Sequence, residues 1–333
     1  MTVITTESLT KRFSSSVTAL DELTIDVGTG VTGLVGANGA GKSTLIKILL
    51  GLLPASSGQA TVLDTEITAP NADGARLRGL CGYMPEHDCL PPDVSATEFV
   101  VHMARISGLP ADAARERAAD TLRHVGLHEE RYRPIGGYST GMKQRVKLAQ
   151  AIVHDPRLVF LDEPTNGLDP QGRDEMLDLV RRIGSEFQIS VLVTSHLLGE
   201  LERITDRVVI IDGGRLLRSS ETTTFLQTTG TVQVEVTEDA DRVAEALTAA
   251  GLTVRQQRGQ LDVLVEGDHT YDTIRDEIAK LGAGLLRLQA GRHRIEEVFR
   301  NHTEETTHES AEYTASADVG EKRDVRMERE SSG

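Results

Sequence analysis

The chain has 333 residues, enough for two domains or for one large domain with an appendage. Charged residues make up 26% and apolar residues 38%, the balance of a chain that buries a core. Aromatics at 3% and no tryptophan argue against base-stacking surfaces and sugar platforms. A formal net charge of −15 disfavours nucleic acid as a main partner, because such binders carry a basic footprint.

Residues 1–30 read as short alternating strands with polar turns, VTALDELTIDV among them. TGLVG (32–36) is an apolar strand running into glycine, with a helix predicted over about 43–53. Residues 87–133 are charged and alanine-rich with helical spacing, as in TEFVVHMARISGL and AARERAADTLRHVGL. RLVFLDE (157–163), ISVLVTSH (189–196) and DRVVIIDGGRLL (206–217) read as strands. Unbroken apolar runs in the first two predict strands covered on both faces. Strands alternating with helices imply a parallel α/β sheet. From 231 the order is TVQVEV strand, ADRVAEALTAA helix, TVRQQ strand, LDVLVEG strand, YDTIRDEIAKLG helix, LLRLQA strand. That βαββαβ series is the split, ferredoxin-like arrangement of a small α+β domain. Residues 301–333, with nine acids against four bases, read as a disordered acidic tail. No apolar run approaches the roughly 18–20 residues that cross a bilayer, and MTVITTESLTKRF lacks a signal-peptide core. A cytoplasmic location follows, unless something else carries the chain to a membrane. Cys81 and Cys89 form no CxxC pair, which fits a reduced compartment without disulfides.

GANGAGKST (36–44) fits the pattern G-x-x-x-x-G-K-[ST] through Gly36, Gly41, Lys42 and Ser43, with Asn38, Gly39 and Ala40 completing the turn. Glycines let backbone N–H groups turn inward around a phosphate. The helix N-terminus adds partial positive charge and Lys42 a full one, between β- and γ-oxygens. Ser43 is placed to ligate Mg²⁺, and Thr44 to reach the α-phosphate side. Asp162 and Glu163 end an apolar strand, where alternation aims the two carboxylates in different directions. One can then hold the Mg²⁺ shell while the other orients an attacking water. PTNGLDP (164–170) follows directly, and TSH (194–196) ends the next strand, bringing in His196. In GGYSTGMKQR (136–145), Ser139 is a good N-cap and Gly141 leaves backbone N–H groups open. The helix beyond runs to about Val153 with Met142, Val146, Ala149 and Ile152 or Val153 along one face.

The order GANGAGKST, YSTGMKQR, LVFLDEPTNGLDP, TSH, over about residues 3–218, resembles the nucleotide-binding domain of ABC transporters. The resemblance implies a P-loop NTPase fold with antiparallel β and helical subdomains (the latter at about 87–153) within an ATP-binding domain at 1–225. The small α+β domain at 230–300 is then an accessory, either regulatory or a dimer brace. ATP and Mg²⁺ are the implied cofactors. Asp162 matches the family's Mg²⁺-shell aspartate, Glu163 its catalytic carboxylate and His196 the switch histidine at the γ-phosphate. Asp169 lies in the loop that communicates across the dimer, and Phe13, in LTKRF, sits where adenine stacks. YSTGM is the signature, so Ser139 and Gly141 would touch the ATP held by a second, head-to-tail subunit. A lone monomer should then hydrolyse ATP very slowly.

Tyr138, Thr140 and Met142 depart from the usual LSGGQ, in a form similar to a bacterial exporter-type subclass. Glu86, in GYMPEHD (82–88), takes the glutamine-loop position; as a carboxylate it either ligates Mg²⁺ or stands further from the polyphosphate. Glu86-His87-Asp88-Cys89 lacks the second ligand pair of a transition-metal site. Transport would require a separately encoded membrane permease, docked beside the glutamine loop and holding the chain at the inner membrane face. RIEEVFRNHTEE (294–305) resembles the ending of multidrug, antibiotic-resistance or polysaccharide exporter subunits. The alternative, a soluble ABC-type ATPase acting on ribosomes or nucleic acid, would want a long coiled-coil insertion or a second phosphate loop, and neither is present. The substrate and the choice between homodimer and heterodimer are not encoded here.

Overall fold

The computed structural model describes residues 2–14, 16–69, 72–222, 231–237, 239–257, 260–265, 267 and 269–290. These fall into two compact units, the first ending at Thr222. It begins with β1 (Thr2–Arg12), β2 (Thr18–Gly28), β3 (Val31–Val35), α1 (Lys42–Leu49), β4 (Ser57–Val62), β5 (Thr65–Glu66), α2 (Gly74–Leu80) and β6 (Cys81–Met84). Then come α3 (Ala96–Ile106), α4 (Ala111–His124), α5 (Thr140–Ile152), β7 (Leu158–Leu161) and α6 (Pro170–Ser185). It closes with β8 (Ser190–Ser195), α7 (Leu198–Leu201), β9 (Arg207–Asp212) and β10 (Arg215–Glu221).

Every residue of β3, β7 and β8 is buried, as their unbroken apolar runs require of strands covered on both faces. They sit inside a six-stranded sheet of order β10-β9-β3-β8-β7-β6, parallel except for β10, which returns on β9 as a hairpin. A second, antiparallel sheet runs β2-β1-β4-β5. One core joins the two: Ile4, Leu9 and Leu20 share a buried cluster with Leu45, Phe160 and Leu192. The phosphate-loop strand β3 is thus clamped inside the core of this first unit.

Several stretches differ from the sequence reading. Helix α1 stops at Leu49 rather than about 53, and β4, β5, α2 and β6 fill a stretch for which no element was expected. Three further differences shape the surroundings of the site. DRVVIIDGGRLL is a hairpin rather than one strand, because Gly213 and Gly214 both take positive φ (51° and 80°). Helical spacing begins only at Ala96, behind Pro91 and Pro92, with Ser95 and Glu98 closing a capping box at the start of α3. Helix α6 fills a stretch for which no element was expected. Asp169 caps it by accepting from the Gly172 N–H, Pro170 opens it, and Met176, Leu177, Val180 and Ile183 bury one face.

The second unit contains β11 (Thr231–Val236), α8 (Ala240–Ala249), β12 (Val254–Gln257), β13 (Gln260–Leu264), α9 (His269–Leu281) and β14 (Leu285–Ala290). All neighbouring strands are antiparallel, in the order β12-β13-β11-β14. Val232, Val234, Leu261 and Val263 pack against Val243, Leu247, Ile274 and Ile278 of the two helices. RIEEVFRNHTEE and the acidic stretch after it lie outside the described residues. Among those described, no helix is long and apolar enough to cross a membrane.

Candidate functional site

Between β3 and α1 the chain turns so tightly that two positions tolerate only glycine. A Cβ on Gly36 would stand 2.5 Å from the Ile211 carbonyl oxygen. Gly41 has φ +103°, and a Cβ there would collide with the Ala19 carbonyl. Ala40 is buried beneath the turn, Asn38 and Gly39 are exposed at its tip, and Ser43 and Thr44 are half-buried at the head of α1. Lys42 is only 7% exposed. Its Nζ donates to the Gly36 carbonyl at 2.8 Å and the Ala37 carbonyl at 3.3 Å, and lies 3.2 Å from Glu163 Oε1.

Glu163 is buried as well, and its other oxygen, Oε2, is 2.9 Å from His196 Nδ1. Lysine, glutamate and histidine, widely separated in sequence, thus form one line. Asp162 is buried beside them, where its Oδ1 accepts from the Thr194 hydroxyl at 2.9 Å; that hydroxyl in turn accepts from the Glu163 N–H at 2.9 Å. Thr194 therefore fixes the Asp162 carboxylate and the Glu163 backbone together, a role not read from the sequence although TSH contains it. The two carboxylates do diverge, but strand alternation is not the reason. β7 ends at Leu161, and Glu163 sits at φ 50°, a left-handed backbone that a glutamate rarely adopts.

The loop after Glu163 leads to a second place. Asn166 Nδ2 donates to Glu86 Oε1 at 3.1 Å, and the Asn166 carbonyl accepts from Gln144 of α5 at 3.1 Å. The Glu86 carbonyl accepts from Lys147 Nζ at 2.8 Å. Burial pushes the Lys147 pKa down, opposed by the charges of Cys89, Asp88, Glu86 and Asp162. Burial and the nearby Asp162 charge together push Tyr83 up to about 12. The hydrogen bond from Lys143 lowers Asp88. No cluster among the described residues, Glu86 to Cys89 included, could hold a transition metal through His, Cys, Asp and Glu.

Ser139 caps α5 by accepting from the Met142 N–H at 3.3 Å. Val146, Ala149, Ile152 and Val153 are buried as expected, whereas Met142 is half-buried; Gln144 and Lys147 are buried too, which turns α5 into a core helix. Its first turn opens onto a cleft of about 640 Å³ lined by Ser139, Thr140, Gly141, Leu168 and Asp169. A Cβ on Gly141 would meet only Leu168 Cδ2, at 3.8 Å. No residue of the 36–44 loop lines this cleft. Phe13 is 57% exposed, with the Lys11 ammonium 5.3 Å from the centre of its ring.

A family model described as ABC transporter matches residues 20–166. The linearmycin resistance ATP-binding protein LnrL of Bacillus subtilis is 33% identical over 282 residues, spanning 82% of this chain and 89% of that one. DrrA of Streptomyces peucetius, a daunorubicin/doxorubicin resistance ATP-binding protein, is 33% identical over 304 residues, 89% and 91% of the two chains. The chain belongs to the ABC transporter ATP-binding proteins. As such it binds ATP and hydrolyses it to drive transport. Among solved structures, a dimer of the ATP-binding cassette MJ0796 bound to ADP and Pi shares the fold. The TM-score is 0.60 over 66% of this chain and 98% of that one, at 21% identity.

Proposed function

We propose that this ABC subunit works as a head-to-tail dimer, with each ATP held between the 36–44 loop of one copy and the Ser139–Gly141 turn of the other. One observation carries this reading: the open helix start at Ser139 borders a roomy cleft to which its own phosphate loop contributes nothing. A capped N-terminus with free N–H groups is an anion site looking for a ligand that its own chain does not supply.

Within one copy, Lys42 occupies loop carbonyls and Glu163, contacts that phosphate oxygens would replace. Glu163, released from Lys42 but still held by His196 at Oε2, is then free to accept a proton from the attacking water. His196 spends Nδ1 on that bond and keeps Nε2 for the γ-phosphate. Phe13 offers the face for adenine, and Asp169, capping α6 at the edge of the cleft, reports across the interface. The hard oxygen donors fit Mg²⁺: the Ser43 hydroxyl, the second oxygen of Asp162 and the exposed side of Glu86 would hold it. Glu163 Oε1 is buried and faces the Lys42 ammonium at 3.2 Å. When bound, the ion would supply positive charge that neutralises the phosphates.

The resistance named for LnrL and DrrA supports export of a small antibiotic-like molecule through a separately encoded permease, which would hold this chain at the inner membrane face. The three-domain division, with an ATP-binding domain to about 225, an accessory domain at 230–300 and a tail, belongs to the same reading.

Mixing two inactive variants tests the shared sites. Lys42→Ala chains mixed equally with Gly141→Asp chains should regain about a quarter of wild-type turnover, because random two-fold pairing restores one of two sites in half the dimers. Turnover no higher than that of either variant alone would refute the shared site.

A further inference from the structure

Helix α5 carries three donors spaced four and three residues apart, Lys143, Lys147 and Gln150, which puts them on one face. They reach Asp88 Oδ2 at 3.0 Å, the Glu86 carbonyl at 2.8 Å and the Tyr83 carbonyl at 3.0 Å. The helix that starts at Ser139 is thereby stitched along the end of β6 and the loop bearing Glu86. Lys147 is the buried stitch, only 3% exposed, and among the described residues it forms no ion pair with a carboxylate. A full charge resting on one backbone carbonyl is costly to bury. Gln150 holds the neighbouring Tyr83 carbonyl with a neutral amide, so a bond to a backbone carbonyl does not by itself require a charge. What sets Lys147 apart is its place: a buried ammonium on the Glu86 carbonyl, in a loop whose Glu86 carboxylate is held by Asn166 and whose Asp88 carboxylate is held by Lys143, with the charges of Cys89, Asp88, Glu86 and Asp162 acting on it.

We propose that Lys147 is a positioning residue that fixes the Glu86 loop and supplies the counter-charge allowing a carboxylate to stand there beside the nucleotide. The inference rests on the reading that places Glu86 near the polyphosphate. It separates two duties of one side chain, the bond to the carbonyl and the charge. Lys147→Gln keeps a donor and drops the charge, whereas Lys147→Arg keeps both.

The test uses the full chain and ATP binding by calorimetry, in EDTA and in excess Mg²⁺, with the melting temperature of each nucleotide-free variant as the folding control. Lys147→Gln should bind metal-free ATP about tenfold more weakly, the size expected for losing one unit charge near a multiply charged ligand. With Mg²⁺ neutralising the phosphates the loss should shrink to less than about threefold. Lys147→Arg should bind as wild type, and adding Glu86→Gln to Lys147→Gln should restore most of the metal-free affinity. Undiminished metal-free binding by Lys147→Gln overturns the inference, as does a loss that Glu86→Gln fails to relieve. Glu86→Gln alone distinguishes the two readings. If it leaves metal-free affinity unchanged, the placement of Glu86 fails and this inference with it; if it alters affinity while Lys147→Gln is silent, only the inference fails.

Discussion

Replacing Glu163 by glutamine keeps the side chain's shape and removes one buried charge. Lys42 Nζ and Glu163 Oε1 are 3.2 Å apart, with side chains 7% and 6% exposed. At an effective dielectric of about 20, that separation corresponds to about 5 kcal/mol of Coulomb attraction. Breaking one partner of a buried pair costs about 3–5 kcal/mol once the stranded charge is counted. Lys42 keeps its two carbonyl acceptors, and glutamine can still offer an oxygen, so the low end, about 3 kcal/mol, is the expected loss for the nucleotide-free chain. That loss should vanish once phosphate oxygens take over Lys42. The variant is therefore expected to bind ATP more tightly, by up to roughly a hundredfold at 1.4 kcal/mol per decade, while hydrolysis collapses. Calorimetric titration in EDTA measures affinity without turnover, and thermal unfolding with and without ATP measures the two stabilities. Equal or weaker affinity than wild type would refute the idea that ATP displaces the Lys42–Glu163 contact.

Gly36→Ala forces a Cβ to within 2.5 Å of the Ile211 carbonyl, so the loop must shift; ATP affinity should fall at least about tenfold, with about 1–3 kcal/mol of stability, read by titration and urea unfolding. Thr194→Val strands the buried Glu163 N–H and one Asp162 oxygen and should cost about 2–4 kcal/mol together with most of kcat. Unchanged kcat in a folded Thr194→Val chain would remove Thr194 from the site. His154 is partly buried with Nε2 on the Cys81 carbonyl, and burial lowers its pKa below 6.5. The folded chain then binds fewer protons than the unfolded one, so this contribution is complete above pH 6.5 and is lost as pH falls below it. His154→Asn should flatten the fall of melting temperature between about pH 6.5 and 5; an unchanged slope would assign that fall to other groups.

The tight turn between β3 and α1 was legible because strand, glycines and lysine are contiguous in the chain. The βαββαβ order of the second unit was legible because valine-rich strands alternate there with amphipathic helices. Helix α6 was missed since its first residues, PQGRDE, are polar and begin with proline, and its apolar stripe emerges only from Met176 onward. The part played by Thr194 was hidden because a threonine in a strand reads as a packing residue until its hydroxyl is seen between two acids. Lys147 was hidden for the opposite reason: a lysine at helical spacing reads as solvent-facing, and only tertiary packing buries it. The left-handed turn at Glu163 leaves no trace in residue type at all.

That turn has a mechanical consequence. β7 stops one residue before Asp162, and the left-handed backbone at Glu163, followed by a second at Gly167 (φ 77°), sets the path by which the loop leaves the sheet. The same loop hands Asn166 to Glu86 and Gln144, and ends at Asp169 on the rim of the other cleft. In the proposed head-to-tail dimer, cleavage at one nucleotide and grip on the next would be geared through this loop. Easing the backbone there, with glycine for instance, would let the two halves slip out of phase even with every polar side chain of the loop intact.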